Sequence, residues 1–386
     1  MRSLTDLDVR GKRVLVRVDF NVPLRDGEIS DDTRIRAALP SIEWLREQGA
    51  RTILVSHLGR PKGPDPAFSL APVARRLAQL TGAKVQFATD VVGESATAAV
   101  AALEPGEIVL LENIRFEPGE TKNDDELAKR LASLCDIYVN DAFGSAHRAH
   151  ASTEGITHHV ADCAAGLLLE REVSALGAIL AAPARPLVAV LGGSKVTDKI
   201  GVIDRFLELA DSVLIGGAMC FPFFKVQGHS VGASLCEEEG LEAARGALER
   251  AGAKLVLPVD LGIAERVEAG AERRDTDGVD VPDGWLGLDI GPRTADHYAE
   301  LIRAAGTVFW NGPMGVFETP PFDAGTRAVA QAVADCAGTT VAGGGDSVAA
   351  LAKFGLTDRV THVSTGGGAT LELVEGRVLP GVAALG

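Results

Sequence analysis

Short apolar runs alternate with amphipathic stretches along nearly the whole chain, and this alternation constrains the fold more than any other feature. The strand-like runs of the first part are 13–18, 52–55, 84–87, 108–111 and 137–140, with helix-like periodicity at 33–48, 70–80 and 124–134. A stretch rich in Leu and Ala, 166–182, ends at Pro183 and reads as a connecting helix. The series then restarts at 187–191, 212–215, 254–259, 307–310, 339–341 and 360–363. Such alternation builds a parallel sheet covered by helices on both faces, with ligands held beyond the carboxyl ends of the strands. The chain has 386 residues, 46% of them hydrophobic, and a single core stops growing near ~250–300 residues. The expectation is an α/β protein of two doubly wound, Rossmann-like parallel-sheet domains, 1–165 and 183–370, joined by a connecting helix and hinge at 166–182.

What stands at the strand ends is then informative. In the first part those ends carry Asp19 and Asn21, then His57 and Arg60, then Glu112, Asn113 and Arg115, then Asp141, His147, Arg148 and His150. Any one of these arginines is most simply a surface residue. Arginines at successive ends of one sheet instead describe a rim for a small, multiply charged anion, because the planar guanidinium matches carboxylate and phosphate. In the second part the ends carry glycine: Gly192 and Gly193, Gly216 and Gly217, NGPMG at 311–315, GGGDS at 343–347 and STGGG at 364–368. So much glycine lets backbone approach a flat or phosphorylated ligand closely.

The run LVAVLGGSKVTDKIGVID at 187–204 reads as strand, glycine turn and helix, which leaves the first helical N–H groups aimed at an anion. Lys195 and Lys199 lie four residues apart, a spacing that places both ammonium groups on one helical face. The turn matches neither GxGxxG nor GxxxxGK[ST], so taken by itself it reads first as an ordinary connection with two solvated lysines. Asp346 caps or begins the helix that follows it, or holds Mg²⁺ on a nucleotide's phosphates, and the two roles can coexist. Glu318 is a solvated loop acid or an acceptor for ribose hydroxyls.

Net charge is −15, from 53 acidic against 38 basic residues, which argues against a nucleic-acid or anionic-membrane partner. The five cysteines are odd in number, widely spaced and form no CxxC, which argues against a disulfide framework or a zinc site. The start of the sequence lacks the apolar core of a signal peptide, and no run approaches the ~20 apolar residues of a membrane span. A cytoplasmic protein, acting as a monomer, is expected.

Several stretches, in order, resemble the phosphoglycerate kinase family: RVDFNVP at 17–23, SHLGRPKG at 56–63, ENIRFEPGE at 112–120, YVNDAFGSAHRAHAS at 138–152, GGSKVTDKI at 192–200, WNGPMGVFE at 310–318, GGGDS at 343–347 and STGGGATLELVEG at 364–376. The resemblance implies reversible transfer of the acyl phosphate of 1,3-bisphosphoglycerate to ADP, giving 3-phosphoglycerate and ATP, with Mg²⁺ on the nucleotide. It assigns Asp19, Asn21, Arg34, His57, Arg60, Arg115 and Arg148 to 3-phosphoglycerate. To the nucleotide it assigns Lys195, Lys199, Gly217, Asn311, Glu318 and Gly344, Gly345, Asp346 and Ser347. Arg34 and Lys199 are the implied catalytic pair, acting after hinge closure, and 371–386 is expected to return to the first domain. Two departures stand out: IGGAMCFPF at 215–223, where the family shows IGGGMAFTF, and Arg293 where the family has lysine. The rivals are a nicotinamide dehydrogenase, disfavoured because GxGxxG follows the first strand of neither half, and a non-catalytic sugar-phosphate or nucleotide binder, disfavoured by Arg34, Lys199 and Asp346 occurring together.

Overall fold

Parallel strands sandwiched between helices must be apolar along their length, and the runs at the centre of each sheet meet that condition, while the edge strands Val85–Phe87 and Leu255–Val256 are only half-buried. In the computed structural model, which describes Met1–Gly386, every residue of Ile137–Asp141, Leu187–Leu191 and Thr307–Asn311 is buried. The chain divides into two compact units, Met1–Ser174 with Arg377–Gly386, and Ala175–Gly376.

The sheet of the first unit runs, in spatial order, Val85–Phe87, Ile108–Leu110, Arg51–Val55, Arg13–Val18, Ile137–Asp141, Asp162–Ala165, with all pairings parallel. The sheet of the second runs Leu255–Val256, Ser212–Ile215, Leu187–Leu191, Thr307–Asn311, Thr339–Gly343, His362–Val363, again all parallel. Counted within its own sheet, this second order is 3-2-1-4-5-6, the doubly wound order expected of a Rossmann-like domain. In each unit the winding reverses beside the unit's first strand, which opens a crevice at the strands' carboxyl ends.

Where the elements differ from expectation, the causes are local. The strand expected over 254–259 is only Leu255–Val256, because Pro258 has no N–H to extend the ladder. The run 360–363 yields only His362–Val363, since a 3₁₀ turn at Thr357–Arg359 precedes it. Asp162–Ala165 (DCAA) is a sixth strand with no β-branched or aromatic residue to announce it. A three-stranded antiparallel sheet, Leu261–Ala264, Arg274–Asp275 and Leu286–Ile290, is built from short segments interrupted by glycine, and it is an insertion between the third and fourth parallel strands. No helix is long and apolar enough to cross a membrane.

The first unit is completed from the far end of the chain. The helix Pro380–Ala383 docks there, with Asn140 Nδ2 donating to the Gly381 carbonyl at 3.1 Å and the Gly381 N–H donating to the Ala146 carbonyl at 2.9 Å. Leu379 and Leu385 are buried on either side of it. Truncating a buried leucine costs about 2–4 kcal/mol, so Leu385→Ala is expected to destabilise the protein by that amount. Urea unfolding with a probe on the first unit checks this, and an unchanged midpoint would mean that the segment is not part of that unit's core.

Candidate functional site

Two groups of side chains collect at the carboxyl edges, one in each unit. In the first unit Asp19 follows the strand Arg13–Val18 and Arg34 lies in the first turn of the helix Thr33–Glu47. Arg34 Nη1 donates to Asp19 Oδ2 at 2.9 Å. His57, after Arg51–Val55, brings Nδ1 to 4.0 Å from Asp19 Oδ1. Asn21 accepts the Gly59 N–H at 2.8 Å, and Arg115 donates to the Gly59 carbonyl, so these segments are tied to one another. Arg60 and Arg148 stand exposed at the same edge.

The electrostatics of this rim follow from burial. Burial would raise the Asp19 carboxyl, but the charges facing it, His57 when protonated in acid and then Arg34 and Arg17, outweigh it and hold the group below its usual range. Burial pushes the His57 ring down to about 3, with nearby arginines adding to the effect, so the ring is neutral at physiological pH. His150 is driven down to about 4 by burial and then by Arg17 and Arg115. Arg115 is lowered by burial, then by Arg17 and, after the opposing pull of Glu120, by Arg60. The concentration of positive charge is high enough that an anion is the natural occupant.

Other strand-end residues serve the scaffold. Glu112 accepts from Ser69 Oγ and the Leu70 N–H and so holds the start of the helix Ala71–Thr81. Asn113 exchanges hydrogen bonds with Leu58 and donates to the Phe68 carbonyl. Asp141 accepts the N–H groups of Leu168 and Leu169 at the beginning of the helix Leu167–Ala181, and burial raises it to about 7. One member of the rim escaped the sequence reading: Arg17, 1% exposed, whose Nη2 meets His57 Nδ1 at 3.1 Å. Its only signal is a cation near the end of a strand whose residues from Val14 onward are otherwise apolar and buried.

In the second unit a cavity of about 310 Å³ opens beside the winding reversal, lined by Gly193, Gly217, Phe221, Leu288, Met314, Glu318 and Asp346 among others. Leu235 and Val267, 65% and 52% exposed, stand at its wall as apolar surface that a planar ligand could cover. Gly217 has φ +68°, and a Cβ there would lie 2.6 Å from the Gly193 N and O, so only glycine fits. The antiparallel sheet missed in the sequence supplies the wall, and buried Asp289 fixes it by accepting from Arg273 Nη1 and the Gly325 N–H, both at 2.8 Å. Ala218 and Cys220, from the departing segment, line the cavity. Arg293 does not; its backbone N–H donates to Asp260 at the start of the helix Pro292–Arg303.

The two lysines are not on one helical face. The helix begins only at Ile200, after a 3₁₀ turn at Thr197–Lys199, because Gly192–Lys195 forms an irregular loop. Lys195 is exposed, whereas Lys199 is partly buried and donates to the Gly192 carbonyl at 2.5 Å, the Asn311 carbonyl at 3.0 Å and Asn311 Oδ1 at 2.5 Å. Asn311 is thus the lysine's seat, and its Nδ2 also donates to the Gly343 carbonyl at 2.8 Å. Ser347 is a strut, accepting the Gly312 N–H at 2.6 Å. Gly344 is the N-cap of the helix Gly345–Phe354 at φ +89°, so Asp346 does not cap this helix but sits in its first turn. Its carboxylate is exposed and takes no hydrogen bond from the protein.

Because Lys199 has only neutral oxygen partners, burial lowers it to about 8 against the pull of Asp346 and Asp198. Its ammonium is charged below that pH and lost above it. Affinity for any anion that seats against this ammonium is therefore expected to fall as pH rises through about 8, and Lys199→Arg should remove that step. Calorimetric titration with inorganic pyrophosphate across the range checks it. The same depression means that burying the charged ammonium costs stability below about pH 8, a cost that fades as pH rises toward the ordinary lysine value.

Comparison with known proteins agrees with this geometry. The model of the family described as phosphoglycerate kinase matches residues 4–377. A phosphoglycerate kinase of Rubrobacter xylanophilus is 57% identical over 385 residues, covering 100% of this chain and 98% of the relative, and one of Synechococcus elongatus is 55% identical over 393 residues, with 100% and 98% covered. Among solved structures, phosphoglycerate kinase of Coxiella burnetii superposes with a TM-score of 0.90 at 46% identity, covering 99% of this chain and 98% of that one, and that of Pyrococcus horikoshii with 0.88 at 34% identity, covering 100% and 98%. Full-length identity at this level, on a chain with a cationic rim in one doubly wound unit and a glycine-walled cavity in the other, places it in the phosphoglycerate kinase family.

Proposed function

We propose that the two edges divide the reaction of this family between them: the cationic rim of the first unit takes 3-phosphoglycerate or 1,3-bisphosphoglycerate, and the cavity of the second takes ADP or ATP. The observation that carries the reading is the contrast between the edges, guanidiniums around Asp19 in one and a desolvated lysine beside an apolar cavity in the other. In the forward direction the P–O bond of the acyl phosphate breaks, a new P–O bond forms to the terminal phosphate oxygen of ADP, and the departing oxygens remain as the carboxylate of 3-phosphoglycerate. No proton moves, so no general base is required.

The protein's part is positioning and charge stabilisation. Asp19 holds Arg34 by a single 2.9 Å hydrogen bond, which leaves the rest of the guanidinium fork for the carboxylate and the migrating phosphoryl group. Arg60, Arg115 and Arg148 hold the distal phosphate, with Asn21 bracing the Gly59 turn. Lys199 faces the transferring group, Lys195 the nucleotide phosphates, and Glu318 the ribose hydroxyls. Asp346 fits Mg²⁺: the ion takes one or two carboxylates with phosphate oxygens completing its shell, and this carboxylate is exposed, unpaired and beside the cavity. What the ion supplies when bound is neutralisation of phosphate charge. Because the substrates are bound by different units, transfer implies closure about the helix Leu167–Ala181. The cytoplasm is the compartment we assign, and a monomer suffices.

Coupled turnover of MgATP with 3-phosphoglycerate is the direct test. Arg34→Ala is expected to lower kcat by about 10²–10³-fold, the usual loss for one charge-stabilising donor, with KM for 3-phosphoglycerate changing far less. Arg34→Lys should recover only part of this, since the charge returns without the fork. An unchanged kcat in Arg34→Ala removes the residue from the mechanism. Asp346→Ala should raise the Mg²⁺ concentration needed for half-maximal rate while sparing 3-phosphoglycerate affinity. A loss of thermal stability with no change in the Mg²⁺ titration would instead assign Asp346 to the helix alone.

A further inference from the structure

Behind the cationic rim lies a second carboxylate that the reaction does not touch. Glu120, 1% exposed, accepts from Ser152 Oγ at 2.6 Å and from the Ser152 N–H at 3.0 Å, while its own carbonyl accepts the Ala151 N–H at 3.0 Å. Three bonds thus clamp the loop that carries His147, Arg148 and His150. The bonds also set a direction. With the Ser152 proton committed to Glu120, the hydroxyl oxygen is free to accept, and Arg17 Nε donates to it at 2.9 Å. Arg17 Nη1 is spent on the Val18 carbonyl, and Nη2 meets His57 Nδ1 at 3.1 Å. A guanidinium can only donate, so Nδ1 must accept, and the proton of a neutral ring must then sit on Nε2.

We infer that Glu120, acting through Ser152 and Arg17, is a positioning residue that fixes the tautomer of His57, so that the ring offers an Nε2–H donor to the anion held by the rim. Nε2 makes no hydrogen bond within the first unit, although the residue is only 5% exposed, which is what a donor reserved for a ligand requires. A neutral donor there is useful. It contacts the substrate without adding another cation to a site that already gathers Arg17, Arg34, Arg60, Arg115 and Arg148. Burial raises the Glu120 carboxyl, and Arg17, the hydrogen bonds from Ser152 and Arg115 oppose that rise.

The inference rests on the reading of the rim as the 3-phosphoglycerate site, and the test separates the two. In free protein labelled with ¹⁵N-histidine, with His57 assigned by its disappearance in His57→Gln, the wild type should show the Nε2–H tautomer alone. Ser152→Ala removes the hydroxyl and Glu120→Leu removes its acceptor, so each breaks the chain at a different link and a folding failure in one leaves the other. Both should give a mixture of tautomers and raise KM for 3-phosphoglycerate by about 3–10-fold, the range of one neutral hydrogen bond, with KM for MgATP unchanged. An Nδ1–H ring in the wild type, or a pure Nε2–H ring in both variants, overturns the proposal. If 3-phosphoglycerate fails to shift the His57 resonances of the wild type, the rim assignment falls and the tautomer result still stands.

Discussion

Both sheets are buried on both faces, and this one constraint decides where chemistry can occur. A strand packed between two helical layers has no edge along its length at which a charged group can meet water, so polar side chains accumulate where the strands stop. The rule holds in both units: Asp19, His57 and Arg115 follow strands of the first, and Gly193, Gly217 and Gly312 follow strands of the second. The winding reversal beside each first strand keeps the connecting helices apart at that edge and leaves room for a ligand.

The units solve the problem of buried charge in opposite ways. The first uses guanidiniums, which keep their charge at physiological pH whatever their partners, with Asp19 in front bonded to Arg34 and Glu120 behind linked through Ser152 to Arg17. The second surrounds Lys199 with carbonyl oxygens alone, which satisfies its N–H groups but not its charge. A guanidinium tolerates desolvation because its charge is spread and its basicity high, whereas an ammonium gives up its proton. The rim is consequently a permanent anion site, and the lysine is an adjustable one.

How much of this is legible in the sequence depends on whether a residue's neighbours are local. The parallel strands are legible because burial on both faces writes a continuous apolar run, and the glycine clusters are legible because backbone approach has no other signature. Asp162–Ala165 is not, since pairing with Ile137–Asp141 makes it a strand and its own residues do not. The lysine spacing misleads: periodicity counts residues along an ideal helix, and the irregular loop and 3₁₀ turn before Ile200 break the count. Arg17 and Glu120 are silent because their roles are set by Ser152, 135 and 32 positions away in the chain, and no spacing rule reaches that far.

The docking of Pro380–Ala383 on the first unit bears on how the chain comes to be folded during synthesis. Asn140 and Gly381 are separated by 241 positions, and the whole second unit lies between them. The second unit, a single uninterrupted segment, can close as soon as it has left the ribosome. The first, although made earlier, must wait with an incomplete core until the residues beyond Gly376 emerge. Domains that appear first ordinarily fold first; here the connectivity reverses that order for the final consolidation, and leaves the earlier-made half the more exposed to chaperones and proteases while translation finishes.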